Sequence, residues 1–323
     1  MNERERFSRI FKGKPVDRPP LLDEGVRDEV IAHWRSQGMP LDKTHLEIFN
    51  LSPHENIGPD IRFHPDYFGK IMTHSTSDYH RAFNVTSDRF PVDWPETVKR
   101  LEHRDHIVCI WASRGFFQAL GVGDWNTLKP VLFGVVDDPG RIQERLEIYG
   151  DFCARMLELT LRDVDPEFVF LGEAISDNHG PLISPETFEK FMIPVYKKIL
   201  DVAKAHGCDH ILVNTYGNSA KLLPAMADAG VNLLWVSEAS ETPEMAYLNL
   251  RKRFGPDLGL IGGIPLSVLH IDSFDEMKKQ MEKIINPLIQ SGRYIPLASG
   301  RVREDIPWSA YKNYREILFE LIS

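Results

Sequence analysis

Phe168-Val169-Phe170-Leu171, Ser184-Pro185-Glu186, Ala205-His206-Gly207 and Ile211-Leu212-Val213 follow one another and spell out a strand, a helix start, a helix stop and a second strand. The two apolar runs are short and lack strict alternation, as strands buried on both faces should. Ser184 is a natural N-cap, Pro185 suits the first helical position, and Glu186 places an acid in the first turn. Behind them Phe188, Phe191, Met192, Val195, Tyr196, Ile199 and Val202 recur at helical spacing. Gly207 stands just past the helix end, where a left-handed residue is wanted. The stretch is one strand–helix–strand unit, and such units build parallel sheets with right-handed crossovers.

The same rhythm extends outward. Ile107–Trp111, Leu233–Val236, Leu258–Ile261 and Tyr294–Leu297 are further apolar runs of strand length. Ile142–Leu161 carries apolar residues at helical spacing, Thr242-Pro243-Glu244 repeats the helix-start pattern, and Ser273-Phe274-Asp275-Glu276 reads as a capping box. Gly230 closes another helix. With a start near Pro19–Asp23, these units predict an α/β protein, a single (β/α)8 TIM barrel spanning residues 1–323. Lys70–Val92 is polar, with dispersed apolar residues, and reads as a small N-terminal hairpin insertion.

Composition narrows the function. The 38 Lys and Arg against 47 Asp and Glu leave a formal charge of −9. That balance argues against nucleic acid or an anionic membrane as partner, since both need a basic face. No apolar run approaches the ~18 residues of a membrane span. The N-terminus lacks the apolar core of a secretory signal. Cys109, Cys153 and Cys208 stand far apart, which suggests buried thiols in a reducing cytoplasm.

In a parallel barrel the residues just beyond each strand form the active face. Glu173, Asp177 and His179 are the densest titratable cluster there. Two carboxylates and an imidazole can divide acid and base duties or hold a metal, or they can simply end a strand and shape a loop. Arg114 and Arg301 are candidate anion clamps, because a guanidinium grips a carboxylate or phosphate bidentately; the alternative is a salt bridge to a nearby acid. Asp23, Asn214 and Glu238 complete the candidate binding set. Tyr216 can stack on a ring or donate a hydrogen bond, or it is an ordinary tyrosine with a satisfied hydroxyl. Arg303 reads as a surface pair with Glu304 or Asp305.

Several motifs carry a resemblance. Arg4-Glu5-Arg6-Phe7, Gly13-Lys14-Pro15-Val16-Asp17-Arg18-Pro19-Pro20, Gly180-Pro181-Leu182-Ile183-Ser184-Pro185-Glu186, Gly217-Asn218 and Leu260-Ile261-Gly262-Gly263-Ile264 fall in an order that resembles the uroporphyrinogen decarboxylase superfamily. Gly172-Glu173 and Tyr294-Ile295-Pro296 point within it to a paralogous branch related to corrinoid-dependent methyltransferases. The resemblance implies a (β/α)8 barrel and a homodimer. It implies either cofactor-free decarboxylation of a tetrapyrrole or methyl transfer to or from a corrinoid protein, usually with zinc.

Departures from the family pattern refine this. The Arg-rich segment of the tetrapyrrole decarboxylases is replaced by Leu22-Asp23-Glu24-Gly25-Val26-Arg27. Pressing a polycarboxylate against Asp23 and Glu24 would cost about 1 kcal/mol or more per close pair. The His-x-Cys zinc ligands of the methyltransferases are replaced by Asn214 and Tyr216, which supply neither imidazole nor thiolate. Glu173, His179 and Glu238 remain as substitute metal ligands. Where the branch usually has Asp-His, this chain has Ser299-Gly300.

The resulting expectation is methyl (C1) transfer from a small aromatic methyl donor to a corrinoid carried by a separate protein. No tightly bound cofactor is expected. The alternatives are decarboxylation of a porphyrinogen or smaller aromatic acid, and a non-catalytic ligand-binding barrel.

Overall fold

The computed structural model describes residues 1–62, 74–238 and 242–323. Their contacts gather into two compact units, one of residues 1–54, 105–107 and 233–323, the other of residues 55–104 and 108–232.

The second unit carries β1 (His54–Ile57) and β2 (Ile107–Ser113), each apart from its first residue, with β3 (Phe168–Glu173) and β4 (Ile211–Tyr216). Strands β2, β3 and β4 pair in parallel, with Ile110 opposite Val169 and Gly172 opposite Asn214. Helices Trp125–Asp137 and Pro139–Leu161 lie between β2 and β3, and helix Pro185–Ala205 lies between β3 and β4. Ser184 caps the last of these through the Thr187 N–H, as its sequence position predicts. Trp94, Leu101, Val108 and Val164 form a local core.

The first unit carries β5 (Leu233–Ser237), β6 (Gly259–Pro265) and β7 (Tyr294–Ser299), again parallel. Helices Tyr247–Phe254 and Phe274–Ser291 join these strands, and Trp308–Ile322 follows the last. Its core packs Trp34, Trp308 and Tyr311 against Met277, Met281 and Ile285. Burying aromatic and long apolar side chains of this kind contributes about 1.5–3 kcal/mol each.

Six expected strands are present, and each runs past the C-terminal end of the apolar stretch that marks it; β6 also starts one residue later. Three expectations are corrected. Pro19–Asp23 is not a strand; Leu21 within it is held by Ser52, which donates its N–H to the Leu21 carbonyl at 2.9 Å and accepts the Leu21 N–H on its Oγ at 2.7 Å. The side-chain oxygen of Ser52 substitutes for a partner strand. The hairpin expected at Lys70–Val92 falls partly outside the described residues; its described part forms helix Thr76–Ala82 and a single 3-10 turn at Ser87–Arg89. Ser75 and Asp78 form a capping box there, and that local signal outweighs the dispersed apolar pattern. Thr242-Pro243-Glu244 forms a turn, and the helix begins only at Tyr247. Seven strands occur among the described residues, against the eight expected. No helix among them is long and apolar enough to cross a membrane.

Candidate functional site

Side chains alternate along a strand, so register decides which residues share a face. In the second unit Trp111 pairs with Phe170 and Gly172 with Asn214, which puts Trp111, Phe170 and Asn214 on one face and Glu173 and Thr215 on the other. Glu173 points toward the helices and is wholly buried. Its Oε1 accepts the Phe116 N–H at 3.0 Å, and its Oε2 accepts the Tyr196 hydroxyl at 2.8 Å. Burial pushes its pKa up to about 7, against the pull of those two hydrogen bonds. Glu173 is therefore an anchor for the loop after β2, with a proton affinity poised near neutrality.

That loop carries Arg114. Its N–H donates to the Tyr149 hydroxyl at 2.7 Å, and the Gly115 N–H donates to Ser113 Oγ at 3.1 Å. Gly115 has φ +83°, and a Cβ there would lie 2.5 Å from the Gly172 carbonyl oxygen. Only glycine lets the loop pass so close to β3. The Arg114 guanidinium sits over the Trp111 ring, 4.0 Å from its centroid. Trp111 is fixed by its own Nε1–H, which donates to the Ser113 carbonyl at 2.6 Å, and by Phe170 edge-on at 4.8 Å. A Cβ on Gly172 would come within 3.0 Å of the indole, so the missing side chain makes room for it. Trp111 and Arg114 face a cleft of about 350 Å³, lined also by Asn56, Asp60, Arg89 and Phe90. That volume suits a ligand built on one or two rings.

Asp177 and His179 do not join Glu173. Both are exposed, and Asp177 Oδ1 accepts the N–H groups of His179 at 2.7 Å and Gly180 at 3.0 Å. Those bonds hold the Asp177 carboxyl below its usual range. Asn214 is buried on β4, and the partly exposed Tyr216 lies close enough to Arg114 to act on it electrostatically.

In the first unit Asp23 accepts the Tyr311 hydroxyl at 2.6 Å and the Gly25 N–H at 2.6 Å, with the buried Arg315 guanidinium 3.9 Å away. Glu24 ties strand ends together. It accepts Ser237 Oγ at 2.7 Å, the Gly300 N–H at 2.8 Å and Trp235 Nε1–H at 3.2 Å, and burial raises its pKa. The adjoining cavity of about 10 Å³ has room for one water and no substrate. Glu238 is exposed at φ +65° and pairs with Arg303 at 3.0 Å. Arg303 is thus a surface pair, with Glu238 in place of Glu304 or Asp305. Arg301 is exposed.

Among the described residues no group of three or more His, Cys, Asp or Glu is arranged to hold a metal ion. Asn214 and Tyr216 offer no thiolate or imidazole, so these positions do not fit a zinc site of the soft-ligand kind. The partners that sequence reasoning missed are Tyr149 and Tyr196. Both stand at core positions of long helices, where a tyrosine looks like any other apolar residue unless its hydroxyl is followed to a strand end.

The uroporphyrinogen decarboxylase (URO-D) family profile matches residues 126–301, more than half of the chain. The chain belongs to the uroporphyrinogen decarboxylase family. Among solved structures this URO-D member is similar to a methyltransferase from Methanosarcina mazei, with a TM-score of 0.64 and 15% identity over 99% of each chain. At that identity the likeness speaks for the fold. A weaker likeness, TM-score 0.41 and 13% identity over 96% of this chain and 98% of the other, is to a vitamin-B12 independent methionine synthase candidate from Listeria monocytogenes, and carries no argument. No curated protein matches the sequence.

Proposed function

We propose that this URO-D family member is an enzyme of one-carbon chemistry that transfers a methyl group from a small aromatic donor to a corrinoid carried by a separate protein. The observation that carries the reading is the cleft floored by Trp111, with Phe170 edge-on to it and Phe90 on the wall, sized for one or two rings. The similarity in fold to a methyltransferase supports the choice of chemistry. In the reaction the bond between methyl carbon and aryl oxygen breaks, the methyl passes to the reduced corrinoid of the partner, and the aryl oxygen takes up a proton. The chain's own part is to stack the ring on Trp111, to hydrogen-bond its oxygen from the face that carries Asn214, and to keep the loop after β2 rigid through Glu173 and Tyr149. Closure into a (β/α)8 barrel belongs to the same proposal. Its support is the isolated parallel bridge from Val26 to Val302, a contact of the kind an eighth stave would make. A homodimer in the cytoplasm completes it.

The test mixes the purified protein and a reduced corrinoid protein with a panel of aryl methyl ethers and follows methyl-corrinoid absorbance. Methylation with at least one ether supports the reading, and none across the panel overturns it. One observation favours a second reading, cofactor-free decarboxylation: the positions that would hold zinc in the methyltransferases carry Asn214 and Tyr216. There the carbon–carboxylate bond breaks, carbon dioxide leaves, and the ring carbon takes a proton. Release of carbon dioxide from an aromatic acid, with no methyl transfer, would select it.

A further inference from the structure

Among the described residues three guanidinium groups border the cleft in the second unit, and they are not equivalent. Arg62 is spent on Asp60: its Nη2 lies 2.8 Å from Oδ2 and its Nε 2.9 Å from Oδ1. Arg89 is spent on backbone, donating to the Asp60 carbonyl at 3.0 Å, the Arg62 carbonyl at 3.1 Å and the Ala82 carbonyl at 2.6 Å. Arg114 alone of the three makes no ion pair or hydrogen bond through its guanidinium with the described residues. It lies on the Trp111 ring, and its Nε is buried without an acceptor. Asp60, the carboxylate on the same wall, is already bound to Arg62.

A half-buried cation without a counter-ion is costly, because it has given up water and received only the ring quadrupole in exchange. Its stacking on Trp111 fixes one face of the guanidinium and leaves the N–H edge for a ligand. A guanidinium edge matches a carboxylate through two parallel hydrogen bonds, and a carboxylate attached to a ring is planar with it, as a narrow aromatic cleft requires.

We propose that Arg114 is the anchor of a carboxylate subsite, and that the substrate of this enzyme is an aromatic monocarboxylate. The proposal rests on the reading of this cleft as the substrate site and adds the charge of the ligand to it. One available guanidinium means one carboxylate. A polycarboxylate would meet the Asp60 carboxylate, Arg62 already paired with it and Arg89 already engaged by backbone carbonyls, with no further free guanidinium among the described lining residues.

The test measures binding of 4-methoxybenzoate, its neutral isostere 4-methoxybenzamide, and phenyl phosphate to the full chain, by calorimetry and by quenching of tryptophan fluorescence. The acid is expected to bind about 10- to 100-fold more tightly than the amide, the range of a charge-assisted contact. Arg114→Met should remove that preference. Arg114→Lys, which keeps the charge but not the fork, should recover only part of it. Circular dichroism of both variants checks that they fold. Equal binding of acid and amide by the wild type, or an unchanged preference in Arg114→Met, overturns the carboxylate subsite while leaving the aromatic cleft standing. Tighter binding of phenyl phosphate than of the acid overturns the choice of carboxylate. Failure of all three probes to bind overturns the aromatic cleft itself and this inference with it.

Discussion

Gly115 lies flush against Glu173: a Cβ on the glycine would meet Oε1 of the carboxyl at 2.6 Å. The approach exists because the next residue, Phe116, must bring its N–H to that same oxygen. Gly115→Ala therefore meets both a clash and a left-handed backbone, φ +83°. The expected cost is about 2–5 kcal/mol, summing about 1–2 for the backbone and about 1–3 for overpacking. Urea unfolding monitored by circular dichroism measures it, and an unchanged midpoint would show that the loop has room to move.

Glu173 also makes stability depend on pH. Its folded pKa of about 7 stands above the usual value of 4.5 for a glutamate, so the folded state holds the proton more tightly than the unfolded one. This contribution is fully present below pH 4.5 and is lost as the pH rises through about 7. At about 1.4 kcal/mol per pH unit the span is on the order of 3 kcal/mol. Glu173→Gln should flatten the decline in stability between pH 5 and 8. The same slope in the variant would place the responsible group elsewhere.

Arg104 and Glu167 form an ion pair at 3.1 Å with both side chains almost fully buried, and Glu167 Oε2 also accepts the Val108 N–H at 2.6 Å. Removing one partner strands the other. Glu167→Ala is expected to cost about 3–5 kcal/mol, far more than an exposed pair such as Arg155 and Glu158, where the loss should stay within about 1 kcal/mol. Thermal unfolding of the two variants side by side settles the contrast.

Trp111 depends on a missing side chain. Gly172→Ala would place a methyl 3.0 Å from the indole, tighter than ordinary contact. The ring must tilt, and Arg114 loses its platform. A shift in tryptophan emission and several-fold weaker binding of an aromatic acid are expected, with a stability loss of about 1–3 kcal/mol. Unchanged emission would mean that the indole is not held by β3.

The fold was legible where apolar runs alternate with capped helices. Ser184-Pro185-Glu186 and the run before Glu173 announce their roles locally, and the chain obeys. The site was harder to read because a strand's end cannot be found from its apolar run alone. Strand β3 continues through Gly172 and Glu173, so Glu173 obeys strand alternation and turns to the helices, whereas a loop residue would be free to turn to the mouth. Arg114 was visible as a cation beyond a strand. That it rests on Trp111, while Arg62 and Arg89 are already engaged, depends on tertiary geometry that no spacing encodes. Pro19–Asp23 misled because buried apolar residues can be held by a single serine as well as by a neighbouring strand.

The three cysteines are all buried, each with its thiol pushed up to about 12 by burial. Alkylating reagents attack the thiolate, so the intact protein should be nearly inert to iodoacetamide at neutral pH. The chain thereby carries its own clocks. Cys109 on β2 and Cys153 in helix Pro139–Leu161 report opening of one unit, and the order in which these sites become modified under mild denaturant would rank the breathing of individual elements without any added label.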